Sequence, residues 1–68
     1  MTANNRSAKV KEALTLIGEG RLHEAEMIYR KLIASGFANH VVYCNLGAIL
    51  KAKGDYANAI WFLNKSLE

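Results

Sequence analysis

The sequence predicts an all-α fold made of two antiparallel helix-turn-helix hairpins. Apolar residues recur at the i, i+3, i+4, i+7 spacing of one helix face, and Gly20, Gly36 and Gly54 interrupt this pattern. The 68 residues contain no proline, and 51% of them are hydrophobic. We expect one small domain at most, because a chain of this length buries a low fraction of its surface.

The first hairpin is predicted from two helices separated by glycines. Its first helix spans about residues 6–18, and Asn5 is the predicted N-cap, because its amide oxygen can accept a hydrogen bond from the first turn. Its second helix spans about residues 22–35 and carries an apolar stripe. We expect Gly36 to end it in the left-handed conformation, with Phe37 folded back on the helix.

The second hairpin repeats this arrangement. Asn39 is predicted to cap a helix of about residues 40–53, and Gly54 ends that helix. Asp55 is predicted to cap a last helix of about residues 56–67. The apolar stripe of this last helix consists of Tyr56, Ala59, Ile60, Leu63 and Leu67.

A shift of thirty-four residues aligns the two hairpins. Caps, turns and packing positions repeat together, and a period in this range is typical of helical arrays. Small residues at Gly47 and Ala59 would allow the two helices of a hairpin to approach closely. The aligned pairs include Asn5 and Asn39, Ala13 and Gly47, Leu16 and Leu50, Gly20 and Gly54, Leu22 and Tyr56, Ala25 and Ala59, and Tyr29 and Leu63.

The second hairpin resembles a repeat of the tetratricopeptide repeat (TPR) family. The residues that carry the resemblance are Tyr43, Asn45, Leu46, Gly47, Leu50, Gly54, Asp55, Tyr56, Ala59, Ile60 and Leu67. The first repeat is degenerate, with Glu12 where the family has leucine and Arg21 where it has aspartate. The resemblance implies a tail at 1–5, a first repeat at 6–39, and a second repeat at 40–68 that lacks the solvating helix. It also implies stacking of the hairpins as a fragment of a right-handed superhelix.

The same resemblance places the first helix of each hairpin along a concave groove that binds protein. The groove positions here are Val10, Leu14, Ile17, Val41, Cys44 and Ala48. They are apolar, so we expect the groove to take an apolar or amphipathic peptide or helix. Acidic tails are disfavoured, because apolar residues replace the lysine and asparagine pairs that clamp a carboxylate in some members. The alternative is that further helices of a longer protein cover these positions.

The last helix offers a second candidate surface. Its exposed edge is predicted to comprise Ile60, Trp61, Leu63 and Leu67. Trp61, like Met27 in the first hairpin, is expected to point outward. Repeat arrays generally need about three repeats or a polar cap for stability. We therefore expect a homo-oligomer or a part of a longer repeat array.

No residue pattern indicates catalysis, a cofactor or a metal site. His40 and Cys44 share one helical face, but a metal needs more ligands, and we expect the cysteine to serve packing. The formal charge of +3 comes from scattered residues and makes nucleic acid an improbable partner. The polar N-terminus and the absence of a long apolar run predict a cytoplasmic protein that does not cross a membrane.

Two other functions stay open at the level of the sequence. Residues 20–25 and 35–45 also resemble the pentatricopeptide repeat, which implies binding of single-stranded RNA. Alternatively, the chain is the N-terminal TPR segment of a larger enzyme. The thirty-four-residue spacing favours a non-catalytic TPR scaffold that binds protein partners.

Overall fold

Four helices make up most of the part of the chain that the computed structural model describes, residues 3–68. They are α1 (Ala3–Gly18), α2 (Leu22–Ala34), α3 (His40–Ala52) and α4 (Tyr56–Ser66). The all-α prediction is confirmed. The helices α2, α3 and α4 begin at the predicted residues and end one residue before the predicted ends.

The first helix begins earlier than predicted. The backbone is already helical at Ala3, so Asn5 lies inside α1 and its predicted role as N-cap is wrong. The sequence before Arg6 contains no glycine or proline, and asparagine is only mildly unfavourable in a helix interior. No residue just before Arg6 therefore prevents α1 from beginning earlier than predicted. Residues 1 and 2 of the predicted tail lie outside the described residues.

Three turns share one backbone geometry. Gly20, Gly36 and Gly54 have φ values of 78°, 92° and 86°, the left-handed region that glycine adopts without strain. After each glycine, the next amide donates to the carbonyl five residues earlier: Arg21 to Leu16 at 2.9 Å, Phe37 to Leu32 at 2.9 Å, and Asp55 to Leu50 at 2.8 Å. These bonds define the helix ending predicted at Gly36.

Of the two N-caps predicted in the second hairpin, one forms a side-chain capping bond and the other does not. Asn39 caps α3 as predicted, since its side-chain oxygen accepts a hydrogen bond from the Val42 amide at 2.9 Å. Asp55 occupies the N-cap position of α4, but its side chain makes no capping bond. It accepts a hydrogen bond from the side-chain amide of Asn58 at 2.9 Å instead. The prediction that Asp55 caps the helix through its side chain is wrong.

The helices pack in chain order, with α1 against α2, α2 against α3 and α3 against α4. The molecule measures 33 × 29 × 15 Å. All four helices carry exposed residues as well as buried ones. The core residues are Ala13, Leu16, Ala25, Tyr29, Leu32, Val42, Leu46, Ile49, Leu50 and Ala59. The right-handed superhelical stacking stays a prediction.

The close approach predicted at Gly47 is present in the second hairpin. A Cβ atom on this glycine would lie 2.8 Å from Leu63 Cγ and 3.2 Å from the Ala59 carbonyl oxygen. Both distances are shorter than ordinary van der Waals contact between such atoms. The hydrogen at this position therefore lets α4 pack directly on the backbone of α3.

Candidate functional site

The predicted groove residues lie on α1 and α3, and most of them reach solvent. Leu14 is 50% exposed and Val41 is 43% exposed, and Cys44 and Ala48 are also exposed. Val10 and Ile17 are half-buried and pack against the core. The side chains needed for an apolar binding face are therefore accessible, while their role in binding stays a prediction.

A cavity of about 400 Å³ lies where the N-terminal half of α1 meets the start of α3. It brings together two of the predicted groove residues, Val10 and Val41. The other four predicted groove residues are outside its lining. The complete lining is Arg6, Ser7, Val10, Phe37, Asn39, Val41 and Val42.

Arg6 and Phe37 line this cavity, although the sequence did not indicate a site at either residue. The guanidinium carbon of Arg6 lies 5.2 Å from the centre of the Phe37 ring, a cation–π geometry. The lining contains no carboxylate, and the Asn39 oxygen is already used by the Val42 amide. The cavity thus offers apolar walls with one exposed cation. The only sequence signal for Arg6 is its position one helical turn before Val10.

The edge of α4 carries large exposed apolar side chains. Ile60 is 58% exposed and Leu67 is 84% exposed, whereas Leu63 is half-buried. Tyr56, a member of the predicted apolar stripe of α4, is 62% exposed and does not belong to the core.

Trp61 points outward, as predicted, and is 54% exposed. The Lys65 ammonium lies 5.5 Å from the centre of the indole ring, and the Phe62 ring meets it edge-on at 4.9 Å. Phe62 in turn stacks on Tyr43 at 6.0 Å. Trp61 therefore has contacts with neighbouring side chains on its own helix, and only part of its ring is free to meet a partner. Met27, at the same place in α2, is 45% exposed.

Glu26 is a buried charged residue that the sequence reasoning missed. Its carboxylate accepts hydrogen bonds from Arg30 Nε at 2.8 Å and from Lys53 Nζ at 2.5 Å. The hydrogen bond from Lys53 lowers the pKa of Glu26 below its usual value, and Arg30 adds to this effect, although burial opposes it. The ion pair between Glu26 and Lys53 connects α2 to the residue that follows α3. The sequence shows only the Glu26–Arg30 spacing of four residues, which is common on exposed helices.

A second polar contact joins the same two helices. The side-chain amide of Asn45 donates a hydrogen bond to the Tyr29 hydroxyl at 3.0 Å. Tyr29 is fully buried, and burial raises the pKa of its hydroxyl while the bond from Asn45 acts in the opposite direction. Both contacts between α2 and α3 are structural, because neither lies beside a cavity with a reactive group.

His40 and Cys44 do not form a reactive site in this structure. Both are exposed, and Cys44 is a free thiol. The predicted packing role of Cys44 is wrong, because its side chain is exposed in the described structure. Among residues 3–68, no group of three histidine, cysteine or acidic side chains is placed to hold a metal ion.

The comparison with known protein families finds a match for the second hairpin. Residues 40–68, which contain α3 and α4, match the family model described as the tetratricopeptide repeat. Residues 40–68 form a TPR. Repeats of this family generally serve protein–protein interaction and are typically non-catalytic. No curated protein and no solved structure gives a significant match to the chain. Across residues 3–68, no helix is both long enough and apolar enough to span a bilayer.

Proposed function

We propose that this protein is a non-catalytic interaction scaffold that binds an apolar or amphipathic peptide or helix. The observation that carries the proposal is the exposed apolar face of α1 and α3, represented by Leu14 and Val41. Both helices also contribute residues that are fully buried, so the exposed face is additional to the core. Isolated exposed apolar residues are common, but a contiguous set on adjacent elements indicates a contact surface.

The cavity between α1 and α3 supports the same binding mode. An amphipathic helix lies in a groove by inserting apolar side chains at helical spacing. Val10 and Val41 offer an apolar recess of about 400 Å³ for one such side chain, and Cys44 and Ala48 continue the face along α3. Arg6, an exposed cation in the lining, favours an acidic residue beside the inserted side chain.

The proposal has two further parts. A second copy of the chain is a candidate partner through the exposed edge of α4, as a homo-oligomer or within a longer repeat array. The free thiol of Cys44 agrees with action in a reducing compartment such as the cytoplasm.

A peptide titration tests the groove. The probe is a fluorescent amphipathic peptide with leucine at heptad positions a and d, compared with a copy in which serine replaces those leucines. We expect binding of the leucine peptide only, and at least a tenfold loss of affinity, about 1.4 kcal/mol, in Leu14→Glu and in Ala48→Glu. The matched control is His23→Glu, which adds the same charge at an exposed position of α2.

Two outcomes would contradict binding of the peptide in the groove. One is unchanged affinity in both groove variants when circular dichroism shows that they fold. The other is equal binding of the serine peptide. Salt-dependent binding of a single-stranded RNA in place of the peptide would favour the pentatricopeptide alternative.

A further inference from the structure

The ion pairs of this protein leave an excess of positive charge on α1 and α3, the two helices of the proposed groove. Each of the six acidic side chains contacts a cation or, in the case of Asp55, a side-chain amide. Four of the nine basic residues take part in none of the ion pairs among the described side chains. Three of these four belong to α1 and α3. The four are Arg6 and Lys11 on α1, Lys51 on α3 and Lys31 on α2.

On α1, the unpaired cations lie beside the apolar face and the acidic residue lies away from it. At about 100° per residue, Arg6 lies about 40° from Val10, and Lys11 lies about 60° from Leu14 on the other side. Glu12 is the only acidic residue of this helix. It lies about 160° from Leu14 and pairs with Lys9 at 3.5 Å. The apolar face of α1 is therefore flanked by positive charge alone.

The face of α3 has the same polarity. Lys51 is exposed and lies about 20° from Cys44 and about 60° from Ala48 around the helix. No acidic residue occurs in α3. The positive charge that looked scattered along the sequence is thus concentrated beside the groove positions once the ion pairs are taken into account.

The cavity at one end of this face is positive as well. The Phe37 ring holds the Arg6 guanidinium carbon at 5.2 Å from its centre, and no carboxylate lies in the lining. Asn39 and Val41, the N-cap and the second residue of α3, also line the cavity. The N-terminal end of a helix carries partial positive charge. An apolar side chain that enters the cavity therefore has positive charge on both sides.

We infer that the partner of this groove is an acidic amphipathic helix. Its apolar side chains contact the face of α1 and α3, and its side-chain carboxylates lie opposite Arg6, Lys11 and Lys51. The inference rests on the proposed function and specifies the charge of the partner, which governs specificity and the rate of association. Nucleic acid does not match this surface, because none of the six groove positions is aromatic and unpaired bases stack on aromatic side chains.

Three peptides test the charge of the partner. All carry leucine at heptad positions a and d and an amidated C-terminus, and they differ only in having glutamate, glutamine or lysine at positions e and g. We expect the wild-type protein to bind the glutamate peptide about tenfold more tightly than the glutamine peptide, and the lysine peptide most weakly. This preference should shrink as NaCl is raised from about 50 mM to about 500 mM, because salt screens exposed charges.

Charge-neutralising variants assign the preference to the groove. An exposed ion pair changes affinity by a factor of up to about five, so Arg6→Gln should weaken the glutamate peptide by about threefold. The triple variant Arg6→Gln, Lys11→Gln, Lys51→Gln should weaken it by about tenfold and leave the glutamine peptide within about twofold of its wild-type affinity. The matched control is Lys31→Gln, which removes an exposed, unpaired cation from α2 and should change neither affinity.

The outcomes separate the charge of the partner from the groove itself. Equal binding of the glutamate and glutamine peptides overturns the inference and leaves the proposed function in place. Loss of the preference in Lys31→Gln, or its retention in a triple variant that circular dichroism shows to be folded, also overturns the inference. Equal affinity for a glutamate peptide with serine at a and d would show recognition of charge alone and contradict both proposals. If none of the peptides binds, the proposed function fails and the inference fails with it.

Discussion

At Gly47 the backbone of α3 lies against α4 with no room for a side chain. We predict that Gly47→Ala lowers the free energy of unfolding by about 1–3 kcal/mol, the usual cost of overpacking a well-packed site. The added methyl group would lie 2.9 Å from Leu63 Cδ2 and 3.2 Å from the Ala59 carbonyl oxygen. Because the second contact is with backbone, a change of the Leu63 rotamer does not relieve it.

The matched control for this substitution is Gly18→Ala. Gly18 also lies in a helix, at the end of α1, but a Cβ atom there meets nothing within 4 Å. We expect the control to be neutral or slightly stabilising, since alanine is favoured over glycine in helices by up to about 1 kcal/mol. Urea unfolding of both variants measures the difference. Equal stability of the two variants would show that the close contact has no energetic importance.

Among the elements, α3 and α4 allow a direct comparison of two cap positions. We predict that Asn39→Ala lowers the free energy of unfolding by about 1 kcal/mol, since it removes the bond to the Val42 amide. Asp55→Ala should cost about 0.5 kcal/mol or less, because Asp55 makes no capping bond and contributes its charge near the helix start and one exposed hydrogen bond from Asn58. Urea unfolding measures the loss of stability in each variant. A larger loss in Asp55→Ala than in Asn39→Ala would contradict the conclusion that only Asn39 caps its helix through its side chain.

The different outcomes at these caps show what sequence can and cannot predict at the level of elements. Asparagine and aspartate are equally good cap residues, so the residue types do not distinguish Asn39 from Asp55. The backbone does: ψ is 175° at Asn39, which aims the side chain at the helix amides, and 73° at Asp55. The helix ends were predictable because a glycine stands at each left-handed position.

Across the whole molecule, Glu26 connects the first hairpin to the second. Its pKa in the folded state is lowered, so its contribution to stability is present above the unfolded value of about 4.3 and is lost as the pH falls through the folded value. We predict that the free energy of unfolding of the wild type decreases more steeply on acidification than that of Glu26→Gln. Urea unfolding at several values between about pH 7 and about pH 3 measures the slopes.

The control for this experiment is Glu24→Gln. The hydrogen bond from Arg21 lowers the pKa of Glu24 as well, but Glu24 is exposed, and exposed ion pairs contribute little to stability. Its variant should therefore keep the acid dependence of the wild type. If Glu24→Gln flattened the acid dependence as much as Glu26→Gln, the special role of the buried carboxylate would be refuted.

Glu26 also shows why the sequence predicted the hairpins better than the surfaces. The positions of Gly47 and Ala59 indicate a close helix pair through local spacing alone. The burial of Glu26 depends on Lys53, twenty-seven residues away, and the periodic spacing of α4 does not reveal that Tyr56 is exposed. The cavity was missed for the same reason, since it unites Arg6 near the start of α1 with Phe37 after the end of α2. Contacts between distant segments leave no periodic signal.

The single cysteine offers a chemical route into the groove without any substitution. Cys44 is the only thiol of the chain, and it is free and exposed on α3. A maleimide fluorophore or a nitroxide spin label would therefore attach at one place, beside Ala48 and on the same helix as Val41. Its emission or its electron resonance spectrum would report directly on what enters the space between α1 and α3.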